Sequence, residues 1–189
     1  MLEGDLQDQV HREYRSDLGV VPVQSARLPG FRTQSGFDLP ELEVAYQTLG
    51  QLSARKDNVV LACHALSGDA CVAGLHPTTG RPGWWDFHVG PGKAIDTNQF
   101  HVICSNVLGG CSGTTGPMST NPATGRPFAT DFPPVTLRDM VQVQARLLDH
   151  LGISKVFAVT GGSMGGMQSL IWATDYPERV HACIPIATC

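Results

Sequence analysis

The sequence predicts an α/β protein with a mostly parallel sheet and helices on both faces. Apolar runs typical of strands buried on both sides begin at Asn58, Phe100 and Val156. From Thr136 onward, helical and strand-like segments alternate, which is the pattern of a parallel sheet covered by helices. The strands expected before Asn58 follow one another closely, so we expect antiparallel pairing at one edge of the sheet.

Composition bounds the class of protein. The chain has 189 residues, which is enough for one domain with a substantial core. Hydrophobic residues make up 42% and charged residues 16%, as in soluble globular proteins, and no apolar run approaches the length of a membrane span. The formal net charge is −4 without a basic cluster, which argues against nucleic acid or a membrane surface as partner.

Cysteine usage and the polar, acidic start of the chain both favour a cytoplasmic protein. The first nine residues do not resemble a signal or transit peptide. No two cysteines have C-x-x-C spacing, and no cysteine–histidine set has the spacing of zinc ligands, so we expect free thiols and no metal. The six cysteines are Cys63, Cys71, Cys104, Cys111, Cys183 and Cys189.

The first half of the chain predicts strands and long loops. Residues 1–20 are polar and aperiodic and are expected to form a loose N-terminal arm, with a single domain over residues 21–189. Early strands are predicted at residues 20–23 and 42–49, and a buried strand at residues 58–65.

The second half predicts two helices and two strands. Thr136 and Asp139 resemble a capping box that opens a helix, and Gly152 is suited to end it. A strand follows from Val156, and a second helix comes directly after it and ends before Pro177. A last strand is predicted within residues 179–188.

The strand from Val156 runs into residues 161–165 (GGSMG), a G-x-S-x-G pattern between a strand and a helix. In this setting the serine lies on a sharp turn with an exposed hydroxyl, which predicts Ser163 as a catalytic nucleophile. The N–H of Met164 at the start of the helix then stabilises an oxyanion. A glycine-rich turn with an incidental serine is the alternative, and the strand–turn–helix context disfavours it.

Two other loops follow buried strands. Residues 64–69 (HALSGD) open an irregular segment of roughly 25 residues, and ordered loops of this length usually serve a function. Within it we expect Asp69, Lys93 and the tryptophan pair at residues 84–85 to be loop anchors or pocket walls. The glycine-rich residues 109–117 lack the G-K-[ST] ending of a phosphate-binding loop, so a structural role is expected there.

Five sequence blocks occur in a characteristic order. They are residues 64–69 (HALSGD), 83–86 (GWWD) with 90–93 (GPGK), 102–117 (VICSNVLGGCSGTTGP), 136–144 (TLRDMVQVQ) and 160–168 (TGGSMGGMQ). Together they resemble the homoserine O-acetyltransferases of methionine biosynthesis, which have an α/β-hydrolase fold, and the resemblance runs from about Leu42 to the last residue. The family's first block more often has threonine where this chain has Ser67, a departure that keeps the hydroxyl.

The resemblance implies a ping-pong acyl transfer by a cytoplasmic enzyme without a bound cofactor. Ser163 would accept the acetyl group from acetyl-CoA as co-substrate, and the hydroxyl of L-homoserine would then attack the acyl-enzyme. The second oxyanion donor would be the N–H of Leu66, beside the N–H of Met164. Ser67 and Gly68 would contact the substrate, and the full-length family implies a homodimer.

The sequence lacks a clear acid and base. On this fold they follow the serine in the order Asp or Glu, then His. The residues after Ser163 offer Asp175, Glu178 and His181, all too close to the nucleophile in sequence. His64 is the nearest substitute base, but it resembles a structural histidine that introduces an oxyanion loop.

We therefore expect residues 21–189 to be the N-terminal portion of one α/β-hydrolase domain, incomplete at its C-terminal end, without the lid and the last strands. A truncated gene product, a split gene or a fragment of a longer protein would explain this, and we expect the chain alone to be inactive. Alternatives within the same chemistry are succinyl-CoA as donor or L-serine as acceptor. Alternatives of another class are an esterase, in which water deacylates the serine, and a non-catalytic remnant.

Overall fold

The computed structural model describes residues 16–188, which form one six-stranded sheet with two α-helices packed on it. None of the helices in this range is long and apolar enough to cross a membrane. The sheet strands are β1 (Gln24–Arg32), β2 (Asp38–Leu49), β3 (Val59–Cys63), β4 (His101–Ser105), β5 (Val156–Gly162) and β6 (Val180–Ile186), and the helices are α1 (Leu137–His150) and α2 (Met164–Asp175).

The strand order is β1-β2-β4-β3-β5-β6. Strands β4, β3, β5 and β6 are parallel, whereas β1 and β2 pair antiparallel with each other and β2 pairs antiparallel with β4. The predicted mostly parallel sheet with an antiparallel edge is therefore confirmed. Short two-residue ladders lie outside this sheet, Val89–Gly90 with Ile95–Asp96 and Thr120–Asn121 with Arg126–Pro127.

The prediction of a strand at residues 20–23 is wrong. In that stretch Val20 forms a single isolated bridge with Leu75, and the first strand begins at Gln24. Pro22 cannot donate to a ladder, which explains why pairing does not start earlier. The sequence did not predict strand β1, because the strand contains Pro29. The proline is tolerated there since β1 lies at the edge of the sheet.

The predicted N-terminal arm falls mostly outside the described residues, which begin at Ser16. The end of the arm is bonded to the body of the protein. The Ser16 hydroxyl donates to Asp86 Oδ1 at 2.5 Å, and the Leu75 N–H donates to the Gly19 carbonyl at 2.7 Å. Residues 16–20 of the predicted arm thus contact the domain expected over residues 21–189.

Both helices pack on one face of the sheet. Val141 of α1 and Trp172 of α2 lie in one apolar cluster with Leu61 of β3. Val60 of β3 faces the other way, where Val72 from the long loop after β3 covers the sheet. Connections between parallel strands are right-handed, so the direction in which the chain moves along the sheet decides which face a connection covers. The chain moves one way from β3 to β4 and the opposite way from β4 through β5 to β6. The loop after β3 therefore covers one face, and both helices cover the other. Within residues 16–188, the second face thus carries a loop in place of the predicted helix.

The N-terminus of α1 has the predicted capping box. Thr136 Oγ1 accepts from the Asp139 N–H at 3.2 Å, and Asp139 Oδ2 accepts from the Thr136 N–H at 2.8 Å. Asp139 Oδ1 also accepts from the Gln34 N–H at 2.8 Å, which ties the helix to the turn between β1 and β2. Gly152 follows the helix with a φ of +68°, as a residue that ends a helix in the left-handed region should.

The loop between β3 and β4 is held by buried polar groups. Asp86 accepts from the Gly74 N–H at 2.6 Å and forms an ion pair with Lys93 at 3.4 Å. The Trp84 indole N–H donates to the Asp69 carbonyl at 3.0 Å. These residues serve as the expected loop anchors, and they order the segment that begins beside the candidate site.

Candidate active site

Ser163 lies on the turn between β5 and α2 with φ 54° and ψ −121°, a strained conformation for a residue with a side chain. Its N–H donates to the Ile186 carbonyl at 3.0 Å, which ties the turn to the end of β6. Its carbonyl accepts from the N–H groups of Gly166 and Met167 at 2.9 and 3.1 Å, which close the first turn of the helix. The residue is exposed, so the backbone presents its hydroxyl to solvent.

The glycines of the motif allow the turn to approach β3 closely. A Cβ atom on Gly161 or on Gly165 would overlap the carbonyl oxygen of Cys63, the last residue of β3. A Cβ atom on Gly166 would lie 2.8 Å from Cβ of Thr188. Backbone cannot yield as a flexible side chain can, so Gly161 and Gly165 have to be glycine. Gly162 has open space around it and has no such requirement.

The two predicted oxyanion donors follow neighbouring strands. Met164 is the first residue of α2, so its N–H has no acceptor within the helix. The Leu66 N–H has no hydrogen-bond partner among residues 16–188. Strands β3 and β5 are parallel neighbours, with Cys63 opposite Gly161, so both donors lie at the carboxyl ends of these strands. Connections leave β3 and β5 toward opposite faces, and ligands of open α/β sheets bind at such a point.

The loop after β3 turns sharply at residues 65–68. The Gly68 N–H donates to the Ala65 carbonyl at 2.9 Å, and a Cβ atom on Gly68 would lie 2.8 Å from Cβ of His64. Gly68 therefore has a steric reason to be glycine. Leu66 and Ser67 are exposed, the Leu66 side chain by 83%. Ser67 and Gly68 both line a cleft of about 270 Å³.

His64 is a neutral structural residue. Its side chain is buried, Nε2 accepts from the Val107 N–H at 3.1 Å, and Nδ1 lies 2.7 Å from the Ala65 carbonyl. Because Nε2 accepts, Nδ1 must carry the proton and donate to that carbonyl. Burial lowers the pKa of the imidazole below its usual value. With both nitrogens engaged, His64 has none left to deprotonate Ser163.

The other acid and base candidates also lie away from the chemistry. Asp175 ends α2 and forms an ion pair with Arg138 at 3.0 Å. His181 is near the start of β6, with its ring 5.4 Å from that of Phe157. Strands β5 and β6 are parallel, so the start of β6 lies at the end of the sheet opposite to Ser163. The part of the chain that the structure describes thus brings no acid–base pair to the serine.

Rival nucleophiles near the site have structural roles. Burial raises the pKa of the Cys63 thiol to about 12, so it stays protonated at neutral pH. In the glycine-rich loop, Thr114 Oγ1 accepts from the Ala45 N–H at 3.0 Å and donates to the Asn106 carbonyl at 2.8 Å. Thr115 Oγ1 accepts from the Glu43 N–H at 2.8 Å. The loop is thereby fixed to β2, in agreement with the structural role expected for it.

Sequence reasoning missed two buried glutamines beside the site. Gln144 of α1 and Gln168 of α2 are at most 2% exposed, and Gln168 bonds to the backbone of His64. In the sequence, each of them is visible as a polar amide at an inward-facing position of its helix. That position identifies no partner, because the carbonyl that Gln168 binds, on His64 directly after β3, is 104 residues away in sequence.

A strained, exposed serine at a strand-to-helix turn, with two backbone donors on adjacent strand ends, is suited to acyl transfer. In agreement, residues 58–188 match the family model described as alpha/beta hydrolase fold, and the chain belongs to this family.

Within that family the chain is similar to homoserine O-acetyltransferases, as its sequence blocks predicted. It is 61% identical over 156 residues to the homoserine O-acetyltransferase of Rhodospirillum rubrum, which covers 82% of this chain and 40% of that protein. The crystal structure of the homoserine O-acetyltransferase from Bacillus anthracis has 38% identity and a TM-score of 0.80, covering 85% of this chain and 45% of that one. The crystal structure of esterase E22 has 43% identity and a TM-score of 0.80, covering 85% and 46%. The chain thus spans less than half of the length of these relatives.

Proposed function

We propose that these residues belong to a homoserine O-acetyltransferase, and that the whole protein, of the length of its relatives, transfers an acetyl group through Ser163. The observation that carries the proposal is the strained turn that holds Ser163 beside the Leu66 loop. The 61% identity to the Rhodospirillum rubrum enzyme supports the choice of reaction.

The reaction proceeds in two halves. Ser163 Oγ attacks the thioester carbonyl of acetyl-CoA, and the tetrahedral oxyanion accepts hydrogen bonds from the N–H groups of Met164 and Leu66. Collapse breaks the carbon–sulfur bond and releases CoA, which leaves acetyl-Ser163. The hydroxyl of L-homoserine then attacks the acyl carbon, and collapse of the second intermediate restores Ser163 and gives O-acetylhomoserine.

Each half requires a base that takes the attacking hydroxyl's proton and returns it to the leaving group. On this fold the acid and the histidine base come after the nucleophile in the chain. We assign the base to no residue among those described, because both nitrogens of His64 are engaged and His181 lies at the far end of the sheet.

Ester hydrolysis is the second candidate, favoured by the similarity to esterase E22. The two reactions share acylation of Ser163 and differ in whether homoserine or water removes the acyl group. Transfer requires a site that excludes water at the second step. Succinyl-CoA as donor and L-serine as acceptor remain alternatives within acyl transfer.

The test is a chase of the acyl-enzyme. The whole protein is incubated with acetyl-CoA, separated from free CoA, and divided between buffer, L-homoserine and L-serine. We expect rapid loss of the acetyl group with homoserine and slow loss in buffer, with Ser163→Ala forming no acyl-enzyme. Equal rates in buffer and homoserine would establish an esterase and overturn the proposal. Succinyl-CoA in parallel tests the donor.

The cellular setting is also part of the proposal. A cytoplasmic enzyme fits the five cysteines among the described residues, all of them free thiols. Small-molecule substrates fit a net charge of −4 without a basic cluster.

A further inference from the structure

Three buried side chains connect α1, α2 and the first residue after β3 by hydrogen bonds. The Trp172 indole N–H donates to Gln144 Oε1 at 2.8 Å, and Gln144 Nε2 donates to Gln168 Oε1 at 2.7 Å. Gln168 Nε2 then donates to the His64 carbonyl at 3.2 Å and to the Met164 carbonyl at 3.3 Å. Trp172 and Gln168 are fully buried, and Gln144 is 2% exposed.

The direction of this chain of bonds is fixed by chemistry. An indole nitrogen only donates, so the Gln144 atom that faces Trp172 must be its oxygen. The Gln144 amino group must then face the oxygen of Gln168, which leaves the Gln168 amino group for the two carbonyls. Reversing Gln168 would place its oxygen against those oxygens and leave buried groups unsatisfied, at substantial cost.

The two carbonyls belong to the two segments that carry the oxyanion donors. The His64 carbonyl lies two residues before Leu66, and the Met164 carbonyl belongs to the residue with the other donor. A single side-chain amide therefore bridges the loop after β3 and the first turn of α2. The ring of His64 is held separately by Val107 and Ala65, so Gln168 contributes the link to α2.

Resting on the proposed acyl transfer, we propose that Gln168 is a positioning residue that sets the separation of the Leu66 and Met164 N–H groups, with Gln144 holding its amide in the required orientation. An oxyanion requires both donors at hydrogen-bond distance at the same time. A shift of about 1 Å in such a site costs roughly a hundredfold in rate.

The test compares two buried glutamines. Methionine resembles glutamine in size and shape, so Gln168→Met removes the hydrogen bonds with little change in packing. Gln47→Met is the matched control, because Gln47 is fully buried and accepts from the N–H groups of Val72 and Ala73, away from the serine. In the whole protein we expect Gln168→Met to lower kcat by about tenfold to a hundredfold with little change in the KM for acetyl-CoA. The control should keep its kcat.

A double-mutant cycle separates positioning from general damage. Leu66→Pro removes one oxyanion donor, so adding Gln168→Met to it should lower kcat little further. Full additivity of the two effects, or an unchanged kcat in Gln168→Met, would overturn the proposal. Hydrolysis of p-nitrophenyl acetate is measured beside acetyl transfer. If the wild type hydrolyses p-nitrophenyl acetate but transfers no acetyl group, the proposed function fails. The hydrolysis rates of the variants then still decide whether Gln168 positions the oxyanion donors.

Amide hydrogen exchange on the 189-residue chain decides the question without activity. The reporters are the Val107 N–H, bound to His64, and the Gly68 N–H, bound to Ala65. Gln168→Met should speed their exchange by up to about tenfold, the effect of losing one buried hydrogen bond, and Gln47→Met should not. Equal exchange in both variants and the wild type would contradict the bridging role.

Discussion

At the scale of the residue, Ser163 shows how the fold holds a strained backbone conformation at the proposed nucleophile. A non-glycine residue at φ 54° and ψ −121° costs about 1–3 kcal/mol. The strain is offset by contacts around it, since its N–H is bonded to β6 and its carbonyl caps the first turn of α2. The conformation leaves Ser163 exposed on the turn between β5 and α2, as its proposed role of nucleophile requires.

This strain predicts an unusual order of stability for substitutions of Ser163. Ser163→Ala keeps the strained Cβ, whereas Ser163→Gly removes it and should be more stable than Ser163→Ala by about 1 kcal/mol. At ordinary positions glycine is the less stable of the two. Urea unfolding of the two variants measures the difference, and a Ser163→Gly variant that is less stable would show that the turn is not strained.

A second residue-scale prediction concerns His64. Burial lowers the pKa of the folded imidazole below 6.5, so the unfolded chain takes up a proton at a higher pH than the folded one. The stability that depends on neutral His64 is therefore present above about pH 6.5 and is lost as the pH falls toward the folded pKa.

The measurement is the free energy of unfolding between pH 7 and pH 5 for the wild type and His64→Gln, which keeps an acceptor for Val107. We expect the difference in the free energy of unfolding between the wild type and His64→Gln to shrink as the pH falls. A constant difference across this range would show that His64 does not titrate as proposed.

At the scale of the element, the strand β6 forms an edge of the sheet in the described part of the chain. Ile184 is 51% exposed and Ile186 is 43% exposed on this strand. An exposed edge strand with apolar side chains offers unpaired backbone groups to other molecules. We therefore expect the 189-residue chain to associate as its concentration rises.

Lysine substitutions test this expectation. Ile184→Lys together with Ile186→Lys should reduce association measured by light scattering, because charge on an edge strand opposes pairing. Leu170→Lys is the matched control, since Leu170 is 41% exposed but lies on α2. A wild-type chain that stays monodisperse and monomeric at high concentration would contradict the expectation.

Local patterns in the sequence predicted the elements that depend on neighbours in the chain. The capping box at Thr136, the buried run of β3 and the turn at Ser163 each depend on a few adjacent residues. The edge strand β1 was missed because it contains Pro29 and Gly30, which disfavour a strand. They are tolerated because β1 pairs with β2 on one side only, and the sequence does not show which strands lie at an edge. The bond between Gln168 and His64 spans 104 residues, and no local pattern specifies such a contact.

At the scale of the whole molecule, the described residues bring Ser163 and the proposed oxyanion donors to the carboxyl ends of β3 and β5, with no acid–base pair beside them. The 189 residues alone should therefore show no homoserine-dependent release of CoA from acetyl-CoA, because an unactivated serine hydroxyl is a poor nucleophile. A CoA-release assay on the purified chain measures this. Release that Ser163→Ala abolishes would mean that the chain holds a working base.

The proposed acyl transfer requires that Ser163 carries the acetyl group in the whole protein. The most direct measurement is the mass of the peptide that contains Ser163, after the whole protein is incubated with acetyl-CoA and quenched in acid. We predict a gain of one acetyl group on Ser163 that disappears when L-homoserine is added before quenching. Acetyl-CoA turnover without acetylation of Ser163, or with the acetyl group on another residue, would contradict this role of Ser163.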